Sequence, residues 1–288
     1  MPQTINTNII SLNAQRNLNK SQSSLSVAMQ RLSSGLRVNS SKDDAAGLAI
    51  ASRMETQVRG MNVAIRNAND GISLAQTADG ALSQLTQSLQ RMRELAVQGR
   101  NATNSDDDKD SLDKEFGELA KEIQRVLGGT TFNGKAILSD ASGTQTFQIG
   151  PNTTTNDSID ITTSNLQTDD TITQVSGSDN TGAGRSLIDH TASTDDIAAV
   201  IGKIDTAINT VNTQRATLGA SQNRVDAVIS NLQVASEIQS AAQSRIMDAD
   251  FASETAALSR AQILQQAGTA MVAQANTMPQ QVLTLLKG

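Results

Sequence analysis

The residue types that most often carry chemistry are present in this chain but scattered. His190 is the single histidine, set in Ser-Leu-Ile-Asp-His-Thr beside a loop, and the chain has no cysteine to complete a metal site with it. It reads as an isolated, exposed side chain. Asp106-Asp107-Asp108 and Asp169-Asp170 gather carboxylates, yet neither carries the central glycine and terminal glutamate of a calcium loop, so weak cation contact is the most they offer. Ser, Thr and Asp are abundant, but none stands with a base in an arrangement that would activate a nucleophile. Gly128-Gly129 is not followed by the Lys-Ser/Thr of a phosphate loop. The Asn-x-Ser/Thr triplets at Asn39, Asn101 and Asn152 are common by chance in so polar a chain. These residues imply no catalytic set, no cofactor and no metal, and an enzyme is not expected.

Two stretches point to contact rather than reaction. In the 90–95 stretch Met92 faces a helical seam, which leaves Arg91, Glu94 and Leu95 for the remaining surface. That surface is either a solvated helix face or, because Leu95 is apolar beside the stripe, a docking face. Val282, Leu283, Leu285 and Leu286 are more apolar than one seam requires, which favours burial against neighbouring subunits.

Composition narrows the elements that position these residues. Four Phe, no Trp and no Tyr in 288 residues leave little bulk for globular cores, so thin helix-to-helix seams of Leu, Ile, Val, Met and Ala are expected. The three prolines include Pro2 and Pro279 near the ends, and long helices go uninterrupted. A formal net charge of -6 argues against nucleic acid as the main partner. No basic segment leads into an apolar secretory core, and no run of about 20 apolar residues is long enough to span a bilayer. Neither membrane insertion nor ordinary signal-dependent secretion is expected.

Helical periodicity dominates the last third, in two frames. The first runs Ile197, Ile201, Ile204, Ile208, Val211, Leu218, Val225, Ile229, Leu232; the second runs Ala257, Ala261, Leu264, Gly268, Met271, Ala275, Met278, Val282, Leu285. Single stripes are marginal alone and need partners. The stripe Leu18, Leu25, Met29, Leu32, Leu36 is the expected mate of the second frame, in a segment expected to fray when free. A long helix is expected over 45–98, about 80 Å at 1.5 Å per residue, unless Gly71 or Gly80 breaks it. Residues 101–110 read as an acidic loop, followed by a short helix that folds back and stops at Gly128-Gly129. Asn133-Gly134 marks a tight hairpin, and alternation over 144–149 and 158–162 predicts a second one. Residues 163–194 read as exposed loops with little core. The fold class is mainly α: a long helical coiled-coil or bundle rod from both chain ends, with a β-hairpin region and a small β/loop outer insertion.

Several strings carry a specific likeness. Arg31-Leu32-Ser33-Ser34-Gly35-Leu36-Arg37-Val38-Asn39, Lys42-Asp43-Asp44-Ala45-Ala46-Gly47, Arg66-Asn67-Ala68-Asn69-Asp70-Gly71-Ile72-Ser73, Thr131-Phe132-Asn133-Gly134 and Ser244-Arg245-Ile246-Met247-Asp248-Ala249-Asp250-Phe251 follow in the order of bacterial flagellin, which the chain closely resembles over about its first 150 and last 100 residues. The resemblance implies an extracellular filament subunit that polymerises through paired termini. Residues 1–40 and 251–288 would form the inner coiled coil, 41–139 and 196–250 the helical rod, and 140–195 a short variable outer domain. The implied polymerisation seam comprises Leu18, Leu25, Met29, Leu32, Leu264, Met271, Met278, Val282 and Leu285.

Implied partners are further copies of the chain, a flagellar export chaperone, and hook–filament junction and cap proteins. An animal innate receptor of the Toll-like class would meet Arg91, Leu95 and Glu115, and a cytosolic inflammasome receptor would read residues 282–286. Ser and Thr of the outer part would be candidates for O-glycosylation. The nearest rival within this logic is a hook–filament junction protein. A secreted helical translocator or adhesin would share the heptads without needing its termini for assembly.

Overall fold

The computed structural model describes residues 7–287, with side chains through Met278. The chain gathers into two compact units, residues 58–236 and residues 1–57 with 237–288. The elements in order are α1 (Ile9–Ser34), α2 (Ala45–Gly99), α3 (Asp106–Gly129), β1 (Thr131–Phe132), β2 (Lys135–Ala136), β3 (Gly143–Gln148), β4 (Ser158–Thr163), α4 (Asp170–Ser176), α5 (Thr194–Met247) and α6 (Phe251–Lys287).

In the unit 58–236, α2, α3 and α5 share one core. Leu82, Leu85, Leu89, Met92 and Leu95 of α2 are buried with Phe116, Ile123 and Leu127 of α3 and Ile197, Ile204, Val211 and Leu218 of α5. Ion pairs Arg93–Asp205 at 2.7 Å and Arg215–Asp79 at 2.8 Å fix the antiparallel register of α2 against α5. The α5 face is rotated from the frame read in sequence. Val200, Ala207 and Gln214 are buried, Ile201 and Ile208 are packed at its margin, and Arg215 turns outward to Asp79. Gln214 earns its buried place by donating to the Thr162 carbonyl at 3.1 Å and accepting from Ser164 Oγ at 2.9 Å.

Neither Gly71 nor Gly80 breaks α2. A methyl group at Gly71 would stand 3.1 Å from Ile161 Cδ1 and 3.4 Å from the Phe147 ring, so this glycine lets the hairpin approach the helix. The acidic run 106–108 is likewise not a loop but the first turn of α3. Ser105 and Asp108 form a reciprocal capping box, and the acids sit at the positive helix end.

Both expected hairpins form. Asn133 and Gly134 take positive φ of 49° and 78° between β1 and β2, and β3 pairs antiparallel with β4 from Gly143↔Thr163 to Gln148↔Ser158. The segment 163–194 departs from its expected openness. It contains α4, capped by Asp169, and buries Leu166, Ile172, Val175 and Ile188 in the same core as the helices. A few apolar residues in a polar run were enough because Leu166, Ile172, Val175 and Ile188 all reach that core, while Leu187 stays exposed.

In the other unit, α1 and α6 pair antiparallel. Ser11 Oγ lies 2.7 Å from Asn276 Oδ1 at one end, and Arg31 contacts Glu254 at 3.0 Å at the other. Gly35, at φ 70°, ends α1 in a left-handed cap. Its carbonyl accepts from Ala249 N at 2.9 Å, while Arg37 N donates to Met247 O at 2.6 Å, so the two helix breaks lock together.

Candidate assembly and recognition surfaces

The α1–α6 pair is built on small residues. On α1 the inward positions are Ser11, Ala14, Leu18, Ser21, Leu25, Ala28 and Leu32, in steps of three and four. Ala261 and Ala275 are buried on α6, and Glu254, Gln265, Gly268 and Val272 lie partly buried in the same frame. Gly268 is a contact point: a Cβ there would meet Leu18 Cδ1 at 3.1 Å. Asn8 caps α1 by accepting from Ser11 N at 3.0 Å and donates its amide to Ala275 O at 2.7 Å, tying the start of one helix to the other. Close spacing of this kind suits alanine and glycine rather than large side chains.

This packing sorts the seam residues expected from sequence. Leu18, Leu25 and Leu32 are half-buried within the pair. Met29 is not: Ala28 takes the inward position and Met29 is exposed. Leu264, Met271 and Met278 are also exposed, repeating every seven residues along the flank of α6. The stripe read in sequence merged two faces that share Ala261, Gly268 and Ala275, and the narrow seam takes Gln265 and Val272 instead of the larger neighbours. Val282 and Leu285 lie outside the described side chains.

The result is an inverted burial pattern. The pair buries Ala28, Ala261 and Ala275 while Ile9, Ile10, Leu12, Ile263, Leu264 and Met271 stay exposed. Single exposed apolar residues are ordinary, but so many of the largest ones on both helices leave apolar surface uncovered, with Leu264, Met271 and Met278 aligned along one flank of α6. Sequence periodicity alone missed Ser11, Ala28, Arg31 and Glu254 as pairing residues. The opposite charges of Arg31 and Glu254, at the outer ends of two helices expected to pair, were the one available signal.

On α2, Arg91 and Leu95 part company. The Arg91 guanidinium contacts Glu115 Oε1 at 2.8 Å and Glu94 Oε2 at 3.0 Å on an exposed face, and both carboxylates hold its pKa above the ordinary value. Leu95 is fully buried. It stands three residues from Met92, so both fill the core between α2 and its neighbours rather than lying on the surface.

Ionic contacts also knit the 177–190 segment onto α3. Arg185 makes a two-pronged contact with Asp113 at 2.5 and 2.8 Å and lies 5.9 Å above the Phe116 ring, with both charged side chains mostly buried. Asp113 also accepts from Ile188 N at 3.0 Å. His190 is exposed as expected but is not isolated. Its Nδ1 lies 2.7 Å from Asp110, a contact that raises the imidazole pKa and lowers that of the carboxyl. Among the described residues no group of three or more His, Asp or Glu is placed to hold a metal ion, and no helix is long and apolar enough to cross a membrane.

Comparison with known proteins adds an independent line. The family described as "Bacterial flagellin N-terminal helical region" matches residues 5–143, and "Bacterial flagellin C-terminal helical region" matches residues 201–286. The chain is similar to a flagellin of Halalkalibacterium halodurans, at 44% identity over 98% of this chain and 99% of that one. It is also similar to a flagellin of Bacillus subtilis, at 41% identity over 98% of this chain and 99% of that one. A crystal structure of Bacillus cereus flagellin matches 58% of this chain and 88% of its own at 32% identity, with a TM-score of 0.47.

Proposed function

The chain belongs to the bacterial flagellin family, and from that premise we propose how its terminal helices build a filament. It is a structural subunit that polymerises with further copies of itself through α1 and α6. The observation that carries the mechanism is the burial pattern of this pair: its fully buried apolar residues are alanines, Leu18, Leu25 and Leu32 are half-buried in the seam, and Ile9, Ile10, Leu12, Ile263, Leu264 and Met271 lie outside it.

Burying a large aliphatic side chain contributes about 1.5–3 kcal/mol, and an alanine much less. The pair therefore gains little from its own seam and more from a neighbouring subunit on its outer face. Ordering the ends costs conformational entropy that this second burial offsets, so folding of the termini and polymerisation are coupled. Each interface joins different patches on successive copies, which gives an open helical polymer. Small seam residues such as Gly268 and Ala275 tolerate slightly different helix spacings, and alternative packings among subunits would give the filament curvature.

The finer assignments follow from the same reading. Residues 1–40 and 251–288 serve as the inner domain, 41–139 and 196–250 as the rod, and 140–195 as the outer domain, in an extracellular filament. An export chaperone and the hook–filament junction and cap proteins are the partners in secretion and capping. Arg91 and Glu115 are candidate contacts for an innate receptor of the Toll-like class, with Leu95 acting as the core residue beneath them. Residues 282–286 are the candidate element for a cytosolic inflammasome receptor.

Seeding purified full-length protein with short filament fragments tests the central assignment. Long filaments by electron microscopy and pelletable protein by sedimentation are expected. A chain that stays monomeric on active seeds contradicts it.

A further inference from the structure

The exposed surface of α1 and α6 also carries oxidisable side chains. With no Cys, Trp or Tyr, the readily oxidised groups are the eight methionines. Exposure separates those among the described residues: Met29, Met271 and Met278 are 57%, 60% and 47% exposed, whereas Met61 and Met92 are 4% and 0% exposed. Met54 and Met247 are half-buried. Among the described residues, the three exposed methionines belong to α1 or α6. Met29 lies near the Arg31–Glu254 end of the pair, and Met271 and Met278 lie near the Ser11–Asn276 end.

We propose that Met29, Met271 and Met278 are three separate peroxide-oxidation sites that together control whether a free subunit can join the filament. In the reaction the thioether sulfur gives an electron pair to one oxygen of hydrogen peroxide. The O–O bond breaks, an S=O bond forms, the sulfur is oxidised, and the peroxide is reduced to water. The product is a polar, chiral side chain with a strong hydrogen-bond acceptor where an apolar thioether stood. In a free subunit this group stays in water and costs little. At a subunit contact it must be desolvated without a partner, which weakens every junction in which it is repeated. The converse also holds: sulfurs covered by a neighbouring subunit are shielded, so an assembled filament resists the oxidant that disables its unassembled subunits. The proposal rests on the assembly reading above, since that reading supplies the cover.

The test treats full-length free protein, preformed filaments and a Met29→Leu/Met271→Leu/Met278→Leu variant with hydrogen peroxide. Peptide mapping by mass spectrometry and elongation from untreated seeds follow. Met29, Met271 and Met278 of the free chain are expected to convert first and Met61 and Met92 last, with the three protected in filaments. Elongation by the oxidised chain should be at least about tenfold slower, restored by the two methionine sulfoxide reductases, and unaffected by peroxide in the triple leucine variant. The proposal is overturned if chains carrying all three sulfoxides elongate at the untreated rate. It is equally overturned if the leucine variant is disabled by peroxide as fully as the parent. Failure of untreated protein to elongate would instead sink the assembly reading, and this proposal with it.

Discussion

Replacing Leu264 and Met271 together by Gln separates the outer face of α6 from its inner seam. The two side chains are 50% and 60% exposed, so about half of each burial is still available to a neighbouring subunit. At 1.5–3 kcal/mol for full burial, that remainder is about 1 kcal/mol per residue. An amide desolvated without a partner adds at least about 1 kcal/mol more for each. The loss approaches about 4 kcal/mol per junction, and at 1.4 kcal/mol per tenfold the critical concentration rises on the order of a hundredfold or more. Gln matches Leu and Met in helix propensity, so the free chain should change by no more than about 0.5 kcal/mol. Sedimentation of seeded reactions over a concentration series gives the critical concentration, and circular dichroism of the free chain gives the control. A critical concentration within about threefold of the parent would refute the reasoning. So would a loss of helix in the free variant large enough to explain the defect, because then these side chains act within the subunit.

Three further outcomes follow from the unit 58–236. Asp113→Ala strands the Arg185 guanidinium and the Ile188 amide and should cost about 3 kcal/mol in denaturant unfolding. Asp113→Leu with Arg185→Met should recover most of that, and equal damage by both would refute the ion-pair account. Leu95→Ala should destabilise by about 2–4 kcal/mol as a core cavity, whereas Arg91→Ala should leave the thermal midpoint unchanged while lowering receptor activation in a reporter-cell assay. Loss of activation only on Leu95→Ala, with Arg91→Ala fully active, would refute the surface assignment.

The His190–Asp110 contact gives the pH prediction. The hydrogen bond that the His190 imidazole donates to Asp110, and then the charge of that carboxylate, raises the His190 pKa above 6.5. The stabilisation is fully present below 6.5 and is lost as pH rises through the raised value; on the acid side it is lost as pH falls through the lowered pKa of Asp110. An NMR titration of the single imidazole should give a midpoint above 6.5 that Asp110→Asn brings back down, and an unmoved midpoint would contradict the pairing.

Long-range order was legible in the sequence where spacing alone decides it. Two helical stripes at opposite ends implied the α1–α6 pair, and Asn133-Gly134 implied its hairpin turn. The frame of a seam was harder to read, because periodicity ranks residues by size and the apolar residues this pair buries fully are alanines. Ala28 displaced Met29, and Val272 displaced Met271, for that reason. Gly71 looked like a helix breaker because its reason for being glycine, the approach of Ile161 and Phe147, comes from residues more than 70 positions away in the chain. Leu95 looked like a surface residue because one stripe was assumed, whereas α2 buries a broad face that packs with both α3 and α5. The core of the 163–194 segment was hidden by its composition: a few well-placed apolar residues fold against helices that a local reading does not see.

In the filament, the exposed apolar surface of α1 and α6 is closed by another copy of the chain. An electron cryo-microscopy reconstruction of the assembled filament tests it most directly. Leu264, Met271 and Met278 are expected to pack against a neighbouring subunit, with Ala28, Ala261 and Ala275 still buried between α1 and α6 of one chain. A filament in which those three side chains remain exposed to water, with subunits joined only through residues 58–236, would contradict it.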